Sequence, residues 1–350
     1  MKAYQITNWG EPLEEREIET PEPTGTQVLL RVTASGICHS DIHLWDGYFD
    51  MGGDAKMRLA DRGMTLPFTM GHEVLGEVVA MGPDAEGVEI GDKRIYFPWI
   101  GCGECEVCQR GEELLCLAPR TPGTRYAGGY AEFCLAQHSK YLVTFEGVEE
   151  THAATCACSG VTAYSALKKL KHLRPEEHLM IIGAGGVGLA GIGMAKAVVA
   201  AKLVVADIDP AKRAAALAAG ADIVIDNSNT GAAAELMEKT GGGVHGVIDF
   251  VGAPASSGFA MQTLARGGTI VVVGLFGGAV PLPLAILPLR MMSVVGSYVG
   301  TLDEMHELMA LVKAGKVKPV PITPRPLREA GQAIADLRDG KTVGRYVLTN

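Results

Sequence analysis

Four of the eight cysteines are bunched as Cys102-x2-Cys105-x2-Cys108-x7-Cys116. In a long chain such clustering reads as metal ligation, not as a disulfide framework. Four thiolates within reach of one ion, with no open position, describe a closed tetrahedral structural zinc site. Gly101, Gly103 and Gly111 give the loop freedom to wrap it. A reduced cysteine cluster, or an iron–sulfur centre with its related spacings, is the alternative. A second set is scattered: Cys38 in Gly36-Ile37-Cys38-His39-Ser40-Asp41, His72 in Gly71-His72-Glu73, and Cys158 ahead of Ser159-Gly160-Val161-Thr162-Ala163-Tyr164. Two cysteines and one histidine can hold a catalytic zinc whose fourth position stays free for water or substrate. Spacing alone does not bring these three together. On spacing they read equally as two small buried residues and a satisfied loop histidine.

A third constellation is Gly183-Ala184-Gly185-Gly186-Val187-Gly188, which fits G-x-G-x-x-G. The pattern is weak alone, because a chain with 45 glycines yields it by chance. Here it follows an apolar run, opens an alanine-rich helical stretch, and is answered nineteen residues later by Asp207. Gly183, Gly185 and Gly188 let backbone approach a pyrophosphate at a helix N-terminus, and Asp207 accepts from the adenosine ribose hydroxyls. Its charge repels a 2′-phosphate, so NAD is expected over NADP. The bland alternative is ordinary strand–helix packing with Asp207 as a solvated loop acid.

These residues need two kinds of scaffold. The first half carries short β-like runs between turn residues, among them 27–33, 77–80 and 130–135, which predicts a mainly β lobe with long loops. The stretch 46–67 has no clear period and reads as a surface excursion. From about Val161 short apolar strands alternate with helices: a helix 161–171, strands 178–182, 202–206 and 222–225, a helix 210–219, then strands 247–250 and 269–273. That alternation predicts an α/β, doubly wound parallel sheet. The tail reads as helices 303–314 and 327–337 around a proline-rich 318–326, with a final strand 344–348. The 350 residues suffice for two domains, and 47% hydrophobic content fills both cores. A net charge of −9 without a basic block argues against nucleic acid or an anionic membrane as partner. The N-terminal residues lack a signal-peptide pattern and no apolar run spans a bilayer, so a soluble, cytoplasmic protein is expected.

Together these segments resemble the zinc-containing medium-chain alcohol dehydrogenase family, most closely its bacterial and archaeal NAD-dependent members, over essentially the whole chain. The resemblance implies a GroES-like catalytic domain from residues 1–159 and 299–350, and a Rossmann dinucleotide-binding domain from 160–298. It implies a catalytic zinc on Cys38, His72 and Cys158, with Glu73 a nearby carboxylate able to approach the metal. Cys158 is preferred over Cys156 because the register of the following residues matches only then. It also implies a structural zinc on Cys102, Cys105, Cys108 and Cys116, hence two zinc ions per subunit. Asp41 would orient a ligating histidine. His39 and Arg345 would contact the cofactor pyrophosphate and Lys212 the adenosine ribose. The implied reaction is reversible oxidation of a primary or secondary alcohol by NAD, with the proton leaving through Ser40, the nicotinamide ribose and His43. Tyr48, Phe49, Phe97 and Trp99 are candidates for an apolar cleft wall, with plain core the alternative. The family is oligomeric, and a homotetramer is expected over a dimer. The interval from Cys38 to His72 exceeds that of the shortest members, which leaves the substrate open. Polyol, amino-alcohol or formaldehyde oxidation in the same family is one alternative, and a non-catalytic NAD-binding regulator another.

Overall fold

The computed structural model describes all residues, 1–350. Six parallel strands form one sheet in the spatial order Ile223–Ile225, Lys202–Ala206, His178–Ile182, Val244–Asp249, Leu264–Val272, Ser293–Gly296. The strand His178–Ile182 is buried at every position, as a strand covered by helices on both faces must be. The strand order reverses between His178–Ile182 and Val244–Asp249, so a crevice opens beyond their carboxyl ends. The glycine turn begins at that point, directly after Ile182.

The other large sheet is mostly antiparallel. Its order is Leu142–Val143, Lys93–Tyr96, Glu73–Met81, Val28–Gly36, Arg345–Thr349, Ile322–Pro326, with Phe133–Ala136 also on Val28–Gly36. Strands from the beginning and end of the sequence thus share one sheet, while the parallel sheet comes from the residues between. A three-stranded sheet of Glu14–Glu17, Lys2–Ile6 and Phe68–Thr69 covers one flank. A core of 54 buried residues runs through both lobes, and one of 16 lies beneath the small sheet. No helix is long and apolar enough to cross a membrane.

Several elements differ from the sequence reading. Residues 46–67 are not featureless: Tyr48–Asp50 and Lys56–Arg58 pair as a hairpin, followed by a short 3₁₀ turn over Ala60–Arg62. Three-residue strands are too short to display a period, so the pattern could not announce them. The proline-rich tail holds the strand Ile322–Pro326, which tolerates Pro324 and Pro326 because it lies at the edge of its sheet. The helix expected from Val161 ends at Lys168 and is preceded by a π-helical turn over Cys156–Gly160. Such turns are rare and gather at functional sites.

Candidate active site

The scattered trio meets. Strands Val28–Gly36 and Glu73–Met81 pair with Gly36 opposite Glu73, which brings Cys38 and His72 side by side just beyond the strand ends. Gly36 has no alternative, since a Cβ there would overlap the Glu73 carboxylate. The π turn supplies Cys158 from the opposite side, its Sγ 3.9 Å from that of Cys38. Sulfurs ligating one zinc tetrahedrally at about 2.3 Å lie roughly 3.8 Å apart. One ligand atom each from Cys38, His72, Glu73 and Cys158 falls within 4.8 Å of the others, and all four residues are buried. His72 Nε2 and Glu73 Oε1 have no hydrogen-bond partner, and so dry a site tolerates unpaired polar atoms poorly unless a cation completes them. The donor set therefore fits zinc.

Electrostatics agree. The hydrogen bond from Cys158 holds the Cys38 thiol well below the usual cysteine range, and the same bond raises Cys158. Burial alone would depress His72, but the Asp41 carboxylate and Cys38 outweigh it and hold the imidazole well above its ordinary value. The cluster thus holds protons that a divalent cation would displace. Burial pushes Glu73 up to about 7 against the pull of Arg345, whose Nη2 approaches Glu73 Oε2 at 2.5 Å. Asp41 is fully buried at the first turn of the helix His39–Asp46, with its Oδ1 3.3 Å from His72 Nδ1.

Around this cluster, Ser40 Oγ lies 3.8 Å from Cys38 Sγ. His43 stands one helical turn further on, its ring 4.8 Å from Phe49 and its Nε2 buried without a partner. His39 stacks on Phe276 from the other lobe at 4.7 Å, and burial lowers its pKa, with the Lys212 charge adding to the effect. Trp99 donates its ring N–H to the Ala157 carbonyl, and its ring lies 5.6 Å from His72.

Of the aromatic wall expected from sequence, Trp99 lies against His72 and Phe49 against His43, while Phe97 is core, stacked on Tyr141, and Tyr48 lies under the Lys56 ammonium. Tyr298, which the sequence reading passed over, packs edge-on to Trp99 at 5.6 Å and is otherwise exposed. The next residue, Val299, has φ of +42°, rare for a β-branched side chain. The only signal in the sequence was an aromatic between two glycines after an apolar strand.

The glycine turn has the shape its spacing demanded. Gly183 has φ of +89°, and a Cβ on Gly188 would overlap the Gly183 carbonyl. A Cβ on Gly185 would meet nothing within 4 Å, leaving room for a ligand at the N-terminus of the helix Gly186–Val198. Asp207 accepts from the N–H groups of Ala184 at 2.7 Å and Asp209 at 2.8 Å, which fixes the turn. Arg345 crosses this turn so closely that a Cβ on Gly186 would overlap its stem.

The four clustered cysteines form the second donor set. Sγ separations are 3.9 Å for Cys102–Cys108, 3.4 Å for Cys105–Cys108 and 3.8 Å for Cys105–Cys116. Backbone N–H groups of Glu104 and Cys105 point at Cys102 Sγ and lower its pKa to about 6. Burial acts oppositely on Cys108, pushing it up to about 12. Glu113 brackets the lobe to the core by accepting from Gly101 N–H at 2.8 Å and the Tyr141 hydroxyl at 2.7 Å.

Known proteins match this architecture throughout. The alcohol dehydrogenase GroES-like domain model matches residues 24–146, and the zinc-binding dehydrogenase model residues 186–314. The NAD-dependent alcohol dehydrogenase of Sulfurisphaera tokodaii is 39% identical over 350 residues, covering 99% of each chain. That of Saccharolobus solfataricus is 38% identical with the same coverage. The alcohol dehydrogenase structure from the archaeon Aeropyrum pernix superposes with a TM-score of 0.91 at 31% identity, over 100% of both chains.

Proposed function

The chain belongs to the zinc-binding, NAD-dependent alcohol dehydrogenase family, and from that premise we propose which residues carry the reversible oxidation of primary and secondary alcohols to aldehydes or ketones. One observation carries the reading: Cys38, His72 and Cys158 converge in a buried pocket with the Ser40 hydroxyl beside them. We assign residues 1–159 and 299–350 to the catalytic domain and 160–298 to the dinucleotide-binding domain.

Cys38, His72 and Cys158 would hold a zinc ion, which would supply Lewis acidity to an alcohol hydroxyl, and the crevice at the glycine turn would hold NAD as the hydride acceptor. Ser40 would accept the hydroxyl proton while giving up its own toward the nicotinamide ribose, and His43 would be the outer base that releases the proton to water. Asp41 orients His72, and Glu73 stands as an auxiliary carboxylate. Trp99, buried beside His72, would shield the reacting carbon from water and favour apolar alcohols over polyols. Gly183, Gly185 and Gly188 would cradle the pyrophosphate, with His39 and Arg345 as its side-chain contacts. Asp207 and Lys212 bind the adenosine ribose. Cys102, Cys105, Cys108 and Cys116 hold a second, structural zinc.

All eight cysteines are free thiols, which suits a reducing compartment such as the cytoplasm. The edge strand Ser293–Gly296 is exposed at every position and carries Val294 and Val295 beside exposed Leu289 and Met291. An unblunted apolar edge of this kind favours pairing with a second copy, and we assign a homo-oligomer, a tetramer by family analogy.

The test is turnover of aliphatic, benzylic and polyol alcohols with NAD and with NADP, alongside zinc content, for the wild type and Cys38→Ser. NAD-dependent turnover lost together with one zinc supports the assignment. Turnover that survives Cys38→Ser removes this cluster from catalysis.

A further inference from the structure

Asp41, which faces His72, is itself held from another part of the sheet. Tyr130 is fully buried, and its hydroxyl donates to Asp41 Oδ2 at 2.8 Å. That same oxygen accepts the Cys38 N–H at 2.9 Å, so the carboxylate is pinned on one side while Oδ1 faces His72 Nδ1. The backbone around Tyr130 grips the other approach to the histidine. Tyr130 N–H donates to the Met70 carbonyl at 3.0 Å, and Gly129 N–H to the Gly71 carbonyl at 2.8 Å. The tyrosine ring has a made seat: Gly71 has φ of +95°, and a Cβ there would lie 2.5 Å from the ring. A ring that only filled this space would need no hydroxyl, because a buried hydroxyl costs free energy unless it is bonded.

We propose that Tyr130 is a positioning residue for the catalytic metal: its hydroxyl locks the Asp41 carboxylate in the orientation that aims His72 at the ion. The inference rests on the assignment of Cys38, His72 and Cys158 as the zinc ligands. Partners one step behind a ligand typically change metal affinity by about 10–100-fold when removed. A residue one step further back acts through the same chain of contacts with a smaller lever.

The test compares the zinc-loaded wild type, Tyr130→Phe and Tyr4→Phe. Tyr4 is the control, a buried tyrosine whose hydroxyl donates to Glu15 at 2.7 Å, away from the ligand set. Zinc transfer to a chromogenic chelator is timed, and cobalt substituted for zinc reports the ligand field in the visible spectrum. The phase absent from Cys38→Ser identifies the catalytic site. Tyr130→Phe is expected to release that zinc roughly three- to tenfold faster and to shift its cobalt bands, while Tyr4→Phe matches the wild type. A fluorinated tyrosine at position 130, with a more acidic hydroxyl and nearly the same shape, should slow release instead. It keeps the test decisive if Tyr130→Phe does not fold. Unchanged release and spectra in both position-130 variants, or equal changes in Tyr4→Phe, overturn the proposal. Failure of the ligand assignment looks different: Cys38→Ser would then retain every zinc phase.

Discussion

Arg345 and Glu73 form a fully buried ion pair at 2.5 Å, and the arginine stem passes over Gly186 at the head of the cofactor helix. One side chain thus joins the pyrophosphate turn to the carboxylate beside the metal ligands. Removing one partner of a buried pair typically costs about 3–5 kcal/mol, less whatever the survivor regains by changing protonation.

Arg345→Ala should therefore destabilise the zinc-free protein in a pH-dependent manner. Glu73 is already raised to about 7, with burial the largest cause and Arg345 opposing it, so losing Arg345 raises it further. An acid whose folded pKa exceeds its unfolded value binds an extra proton in the native state, and stability falls as pH rises through that window. The window closes near 7 in the wild type and extends higher in the variant. The melting-temperature deficit should grow between about pH 6 and about pH 8, and Glu73→Gln in the same background should restore part of it. Parallel melting curves across that range would contradict this.

Asp207→Asn should erode the preference for NAD. It removes the charge that a 2′-phosphate would meet, and it weakens acceptance from Ala184 and Asp209. The NAD-to-NADP ratio of kcat/KM should fall by about tenfold, which corresponds to roughly 1.4 kcal/mol. An unchanged ratio would assign the selectivity elsewhere.

Cys102→Ser should lose one zinc and lower the melting temperature while the initial turnover of freshly loaded protein stays close to wild type. Glu113→Ala should speed release of the same zinc, because the lobe loses its bracket to Gly101 and Tyr141. Metal analysis beside calorimetry checks both. Full zinc occupancy in Cys102→Ser would exclude a site built on these thiols.

The pH dependence of alcohol oxidation should carry a limb from His43. Burial, then the neighbouring His39, lowers its pKa, so its protonated form accumulates only below the ordinary value and the rate falls in that range. Phe49→Ala would open the ring to water and move the limb to higher pH. His43→Ala should remove the limb, slow turnover at low pH, and respond to added buffer bases. A limb unmoved by both substitutions would take His43 out of the proton path.

The parts legible in sequence were those whose chemistry is local. The glycine turn announced itself because the apolar run before it, the helix after it and Asp207 all lie within one unit. The four clustered thiols needed only their own spacing. Cys38, His72 and Cys158 were different: they meet through strand register and a π turn, which no spacing encodes, so family resemblance had to join them. Tyr298 and Tyr130 escaped for the same reason, since each reaches the site from a distant strand end.

The strand Arg345–Thr349 fills the slot between Val28–Gly36 and Ile322–Pro326. During synthesis from the N-terminus, Phe133–Ala136 can cover the first half of that edge of Val28–Gly36, but its Ala34–Gly36 end must wait unpaired while the entire parallel sheet is made. The cofactor lobe, continuous in sequence, can mature on its own, whereas the zinc-binding lobe cannot close until its distant partner strand emerges. Such a delayed closure slows folding and leaves an open strand edge available for wrong pairing. The catalytic sheet is thus the last part of the molecule able to close, and in the interval before it does a chaperone has most to offer the chain.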